Sequence, residues 1–118
     1  MYDASGLGEA AGVLWVACTD EGRVVGLDVD TLATVSTFDG LDAADAVVVD
    51  GDTLFVVGQV GPTVWRIDAR AREVVSTVSL DEIGATRENV AAVIVGRHLV
   101  VTHPESLSIY DLPIAALR

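Results

Sequence analysis

The sequence predicts an all-β protein built from repeated antiparallel sheets of four short strands. Apolar runs are interrupted every few residues by Gly, Asp or Pro, a pattern typical of short strands joined by tight turns. No segment keeps the period of about 3.6 residues that an amphipathic helix needs. Residues 13–38 align with residues 53–78 without a gap, so one structural unit occurs at least twice in the chain.

The repeat has identical residues at equivalent positions of the two tracts, which chance similarity between two strand-rich tracts would not produce. The two tracts share seven identities: Leu14/Leu54, Val16/Val56, Val24/Val64, Asp28/Asp68, Val35/Val75, Ser36/Ser76 and Thr37/Thr77. A third tract follows after a small slip, because Leu99 and Asp111 correspond to Leu54 and Asp68. Units of about 40–50 residues with four strands are typical of β-propeller blades. A β-sandwich has no reason to repeat its side chains at this interval.

The period divides the chain into four parts. We expect residues 1–12 to be an N-terminal extension or the remnant of a preceding blade, and 13–39 to be an incomplete blade. Residues 40–80 are expected to form a complete blade, and 81–118 an incomplete C-terminal blade. An open run of blades leaves unpaired strand edges. We therefore expect either missing blades or homo-oligomerisation to close the propeller.

The repeat resembles those of YVTN-type propellers and of related quinoprotein-like and NHL-like propellers. The resemblance covers about residues 13–112 and rests on Leu-Trp-Val, a small polar loop with Gly, Val-x-x-Leu-Asp and Val-Ser-Thr. Residues 28–32 read AspValAspThrLeu and depart from the Asp-x-x-Thr-Gly of quinone-docking repeats; the Gly-His and Trp-Asp pairs of WD repeats are absent. The resemblance implies a WD40-like repeat scaffold for binding, with an extracytoplasmic location as one possibility.

Composition excludes several partners. Seven basic residues against 18 acidic ones leave a net charge of −11, which repels nucleic acid and anionic lipid. The apolar runs are too short to span a bilayer, and the N-terminus lacks the basic and apolar regions of a signal peptide. We expect a soluble chain whose compartment the sequence leaves open. All seven basic residues are arginine, a bias found in GC-rich coding sequence and in salt-adapted proteins.

The longest polar loops predict where a ligand would bind. In a propeller the second-to-third strand loops and the blade-to-blade connections share one rim, and polar loops on a rigid scaffold commonly carry function. We expect this rim to bind a protein or a small ligand; the alternative is an acidic rim that is merely solvated. The predicted rim residues are Asp20, Glu21, Gln59, Asp81, Glu82, Arg87, Glu88, Asn89, His103 and Glu105.

Other polar residues fit structural roles better than catalysis. An aspartate closes the third strand of each unit, where its carboxylate is expected to cap a turn: Asp28, Asp68 and Asp111. His98 and His103 are five residues apart on one predicted strand, so they point to opposite faces and share no metal. The single Cys18 forms no internal disulfide. We predict no catalytic residue, no metal site and no cofactor.

The function expected from the sequence is a non-enzymatic β-propeller module within a larger propeller. The alternative is a fragment of a propeller enzyme, of lactonase, lyase or quinoprotein-like type, whose axial site is supplied by other blades. Such a site needs Asp, Glu, Asn or His at the inner-strand ends, where this sequence offers Asp45 and Asn89.

Overall fold

The structure, a computed structural model, describes residues 4–80, 90–103 and 108–117. These residues form three antiparallel sheets with strands in chain order, so the predicted all-β architecture of propeller blades is confirmed.

The first blade contains β1 (Ala4–Ala10), β2 (Val13–Cys18), β3 (Arg23–Asp28) and β4 (Thr34–Asp39). The second contains β5 (Ala44–Asp50), β6 (Thr53–Gly58), β7 (Thr63–Asp68) and β8 (Glu73–Ser79). The third contains β9 (Ala91–Val95), β10 (His98–His103) and β11 (Ser108–Pro113), followed by a short 3-10 helix, Ile114–Leu117. The described sheets do not close into a ring.

Strand β1 is the main difference from the sequence prediction, which placed residues 1–12 outside the first blade. It pairs antiparallel with β2 along Ala4–Ala10, so the first blade has four strands rather than three. The prediction missed this strand because Gly6 and Gly8 replace the apolar residues of an ordinary inner strand. Gly6 is needed here because a Cβ at this position would overlap the carbonyl oxygen of Asp45, on the neighbouring inner strand β5.

Gly6→Ala is therefore expected to lower the free energy of unfolding by about 1–3 kcal/mol through overpacking against fixed backbone. Gly8→Ala is the matched control, because its new Cβ would meet only side-chain atoms of Val47 and Val49. Both changes reduce unfolded-chain entropy similarly, so urea denaturation followed by circular dichroism should show the larger loss for Gly6→Ala. Equal losses would contradict the close approach of β1 to β5.

The apolar core lies between the blades rather than within one of them. Successive residues of a strand point to opposite faces, so Leu54 and Val56 enter the core shared with the first blade, whereas Phe55 and Val57 enter the core shared with the third. Trp15, on β2, is fully buried in the first of these cores. The second blade is thus covered on both faces, by the first blade on one side and by the third on the other.

The third blade departs from the repeat at its outer end. Pro113 is paired with His98, as Asp68 is with Thr53, so Asp111 lies inside β11 rather than at its end. The turn-capping role predicted for Asp111 is therefore wrong; its Oδ1 lies 2.7 Å from His98 Nδ1 instead. The 3-10 helix folds back on β8, where the Ser76 hydroxyl donates to the Leu117 carbonyl at 2.6 Å.

Across the described ranges, no helix has the length and apolar character to cross a membrane.

Candidate functional site

The predicted rim is only partly within the described structure. Asp20 and Glu21 occupy the β2–β3 loop, and Gln59 directly follows β6. For His103 only the backbone, at the end of β10, is described. Six predicted rim residues lie outside the described residues: Asp81, Glu82, Arg87, Glu88, Asn89 and Glu105.

The first-blade part of the rim carries carboxylates around one guanidinium. A backbone bond from Gly22 N–H to Thr19 O, 3.2 Å, closes the loop that presents Asp20 to solvent. Arg23 lies 3.5 Å from Glu21 and 3.3 Å from Asp39, with 41% of its side chain exposed. Ion pairs at such exposure contribute little to stability. The loop is thus held mainly by its backbone, and it presents the exposed Asp20 at the surface.

Gln59 does not belong to the exposed rim. It is 5% exposed, and its Nε2 donates to Asp45 Oδ2 at 3.2 Å. The same carboxylate oxygen accepts the backbone N–H of Val90 at 2.7 Å, at the start of the third blade. Asp45 reaches both partners because a β-bulge interrupts the pairing of β5 between Ala44 and Ala46, and a bulge redirects the side chain that it carries. Gln59 thus lies beneath the rim surface, where its amide is bonded internally.

The first blade carries an equivalent polar pair one repeat earlier in the chain. Ser5 sits in the matching bulge of β1, and its hydroxyl lies 2.5 Å from that of Thr19. Thr19 Oγ1 also donates to the carbonyl of Ala44 at 2.8 Å. We call Ser5–Thr19 the first clasp and Asp45–Gln59 the second clasp, because each pair bonds to the chain at the start of the following blade.

The clasps were missed by sequence reasoning, although a signal was present. Asp45 follows Ser5, and Gln59 follows Thr19, by the same number of residues that separates the identical residues of the two blades. The residue types at these positions differ, however. A search restricted to identities overlooks positions that share only polarity. Their geometry gives the rim a rigid support, with the carboxylate of Asp45 bonded inside it.

On the opposite rim, the turns that join the third and fourth strands of the first two blades are closed by aspartate side chains. Asp28 Oδ1 accepts the backbone N–H groups of Asp30 and Thr31 at 2.8 and 3.0 Å. These bonds, that of Thr31 first, lower the pKa of Asp28 below its ordinary value. Asp68 Oδ1 accepts two N–H groups in the same way, both at 3.0 Å. The predicted turn-capping role is confirmed for Asp28 and Asp68.

A cleft of about 270 Å³ lies on the second blade beside its outer strands, lined by Thr53, Arg66, Asp68 and Val75. The Arg66 guanidinium lies 5.8 Å from the centre of the Phe55 ring, within the range of a cation–π contact. Its Nη1 is buried and has no hydrogen-bond partner among the described residues. Sequence reasoning missed Arg66; the signal was an arginine within the apolar strand TVWRID.

The described residues bring together no group of three or more His, Cys, Asp or Glu able to hold a metal ion. The carboxylates of Asp45, Asp28 and Asp68 are instead bonded to backbone and amide groups. The exposed Asp20 of the rim and the Arg66 cleft are thus two places in the described structure where a ligand could bind.

Comparison with solved structures shows the fold. BamB from Moraxella catarrhalis is 18% identical, with a TM-score of 0.70 over 95% of this chain and 34% of that one. AztD from Citrobacter koseri is 11% identical, with a TM-score of 0.70 over 98% of this chain and 45% of that one. The computationally designed Ika4 protein is 11% identical, with a TM-score of 0.60 over 96% of this chain and 92% of that one. No protein-family model matches the sequence, and no curated protein matches it.

BamB and AztD are β-propeller proteins. The three sheets are therefore propeller blades, and the chain spans about a third of BamB and less than half of AztD. At these identities the likeness extends to the fold alone.

Proposed function

We propose that this chain is a non-enzymatic β-propeller module that binds a protein or a small ligand through its acidic rim, as part of a larger propeller. The observation that carries the proposal is the exposed Asp20 on a backbone-closed loop, next to Glu21 and above the first clasp. Rigid scaffolds that present polar loops are suited to recognition, because little entropy is lost when the partner binds.

The charge of the chain indicates the kind of partner. With a net charge of −11, the rim attracts cationic groups and repels anionic ones, so a partner with clustered Arg or Lys side chains fits best. The Leu-Trp-Val and Val-Ser-Thr elements support a YVTN-like subtype for the repeat. Further blades, from the same or another chain, complete the propeller in this proposal.

The binding role is favoured over the enzymatic alternative by the state of Asp45. An axial catalytic site would draw on carboxylates at inner-strand ends, yet Asp45 is 4% exposed and accepts hydrogen bonds from Gln59 and Val90. A carboxylate bonded in this way acts as a structural acceptor.

The proposal is tested with a fluorescein-labelled nona-arginine peptide and fluorescence anisotropy. Replacing Asp20 by Asn and Glu21 by Gln should weaken binding about fivefold, because two partly screened charge contacts contribute about 1 kcal/mol together. The matched control removes two exposed carboxylates from the opposite rim, Asp30→Asn with Asp50→Asn. It should change the affinity by less than about twofold.

Equal losses for the two double variants would mean that the peptide senses only net charge, which would overturn the assignment of the rim. An unchanged affinity in both would do the same.

A further inference from the structure

The Arg66 cleft lies on the face of the second blade that is turned toward the third. Across β6 and β7, Phe55 pairs with Arg66, and Thr53 pairs with Asp68. Paired residues and alternate residues point to the same face of a sheet, so all four share the face on which Phe55 enters the core with the third blade. Strand β6 begins at Thr53 and β7 ends at Asp68. The cleft is therefore at the end of the strands opposite to the acidic rim.

Three polar groups line this cleft without a full set of partners. Among the described residues the Arg66 guanidinium has no hydrogen-bond partner, and its Nη1 is buried. Asp68 uses only Oδ1 to cap its turn, which leaves Oδ2 as an acceptor. The Thr53 hydroxyl, which can donate and accept, is likewise unbonded within the described ranges. Polar groups that the protein leaves unsatisfied are explained by a water, an ion or a ligand.

The guanidinium of Arg66 is held in place without the use of its N–H groups. It lies 5.8 Å from the centre of the Phe55 ring, within the range of a cation–π contact. The side chain is half-buried and lines the cleft. A charged donor is thus positioned before any ligand arrives, which lowers the entropy lost on binding.

The first blade shows that packing does not require a charge at this position. By the offset of the repeat, Gly26 corresponds to Arg66 and Val13 to Thr53. A Cβ on Gly26 would come within 2.8 Å of the Trp15 ring and 2.9 Å of Val13. Apolar side chains therefore fill in the first blade the space that is a cleft in the second.

The third blade bonds its polar groups to each other. By strand register, His98 and Asp111 hold the positions of Thr53 and Arg66. His98 Nδ1 lies 2.7 Å from Asp111 Oδ1. Of the three described blades, the second alone thus leaves a charge at this position without an internal partner.

We propose that the Arg66 cleft binds the zwitterion of a small α-amino acid. The carboxylate of the ligand accepts hydrogen bonds from Arg66 and Thr53, and its ammonium group donates to Asp68 Oδ2. Arg66 and Asp68 are two residues apart on one strand, roughly 7 Å between Cα atoms, so one ligand that carries both charges reaches both side chains. Val75 provides an apolar wall for the side chain of the ligand.

Charge and size select this class of ligand over other anions. The Asp68 carboxylate and the net charge of −11 both repel a phosphate or a simple carboxylate. A zwitterion carries no net charge, and its ammonium group turns Asp68 into an attractive partner. The cleft volume of about 270 Å³ is just below the roughly 300–1,000 Å³ of sites for drug-sized ligands, so the ligand is small.

This site is separate from the acidic rim and goes beyond the proposed function. The variants below leave Asp20 and Glu21 unchanged, so the affinity for the nona-arginine peptide tests the rim independently of the cleft.

An NMR titration of the ¹⁵N-labelled chain with L-valine tests the class of ligand. The backbone amide signals of Thr53, Arg66 and Val75 should shift in a saturable way. Isovalerate lacks the ammonium group and isobutylamine lacks the carboxylate. Each should bind at least about tenfold more weakly than L-valine, because each loses a charged hydrogen-bonding group.

Two variants test the residues of the cleft. Arg66→Gln should weaken L-valine binding at least about tenfold. Thr53→Val copies Val13 of the first blade and should weaken it about threefold through the loss of one neutral hydrogen bond. Arg72→Gln is the matched control: it removes the same charge from an arginine that reaches the Val35 carbonyl instead, and the affinity should change by less than about twofold.

Circular dichroism shows whether each variant is folded; if Arg66→Gln is not, Thr53→Val carries the test. The proposal is overturned by the absence of a saturable shift with L-valine, by isovalerate binding as tightly as L-valine, or by an unchanged affinity in the folded cleft variants. An equal loss in Arg72→Gln would show that the ligand senses only net charge, which would overturn it as well.

Discussion

Trp15→Ala should lower the free energy of unfolding by about 3–5 kcal/mol, the range found when a large aromatic side chain is removed from a core. Trp15 is fully buried between the first and second blades, and its ring centre lies 5.6 Å from that of Phe38. Its Nε1 also donates to the carbonyl of Ala10 at 3.2 Å. The variant therefore loses apolar contact and leaves that carbonyl without its partner.

Urea denaturation followed by circular dichroism measures this loss. Leu32→Ala is the control, because truncation of a side chain that is 61% exposed should change stability by less than about 0.5 kcal/mol. If Trp15→Ala is unfolded without denaturant, Trp15→Phe keeps part of the packing and allows the measurement. A loss below about 1 kcal/mol for Trp15→Ala, well under the range for a buried aromatic side chain, would show that the core between the first and second blades is not formed as described.

Asp45→Ala is expected to cost about 2–4 kcal/mol, since buried donors left without acceptors cost about 1–3 kcal/mol each. The residue is 4% exposed, and one carboxylate oxygen serves both Gln59 Nε2 and the backbone N–H of Val90. Because Val90 precedes β9, the change should loosen the junction between the second and third blades in particular.

Hydrogen exchange at the Val90 amide separates this local effect from a general loss of stability. The amide should be protected in the parent chain and exchange much faster in Asp45→Ala, whereas Asp20→Ala, at an exposed position on the same rim, should leave it protected. Asp45→Asn should recover part of the protection, because it retains one acceptor oxygen. An unprotected Val90 amide in the parent chain would contradict the second clasp.

The sequence predicted the features that depend on periodicity. Alternation along β6 assigns Leu54 and Phe55 to opposite faces, and the constant offset of the repeat identifies β2–β4 and β6–β8 as matching units. Such features follow from side-chain direction alone. Strand β1 was not predicted because Gly6 and Gly8 interrupt its apolar pattern. The backbone of β5 leaves no room for a side chain at Gly6, and a local sequence pattern does not reveal that neighbour.

Site residues were harder to predict because their environment depends on bulges and register. Asp20 lies in its expected loop. Gln59 instead lies beneath the rim surface, where it donates to Asp45 at a β-bulge, and residue propensities do not predict the position of that bulge. The register of β10 with β11 likewise moves Asp111 away from the strand end. Arg66 was overlooked because a charge inside a strand is read as solvent-facing until its neighbours are known.

Both tryptophans of the chain, Trp15 and Trp65, belong to the core between the first and second blades. The core between the second and third blades contains Phe55 and Tyr110 instead. Tryptophan fluorescence therefore reports on the junction between the first and second blades and does not report on the junction between the second and third. A comparison of that signal with the far-ultraviolet signal of all three sheets reports whether the blades separate together or one after another.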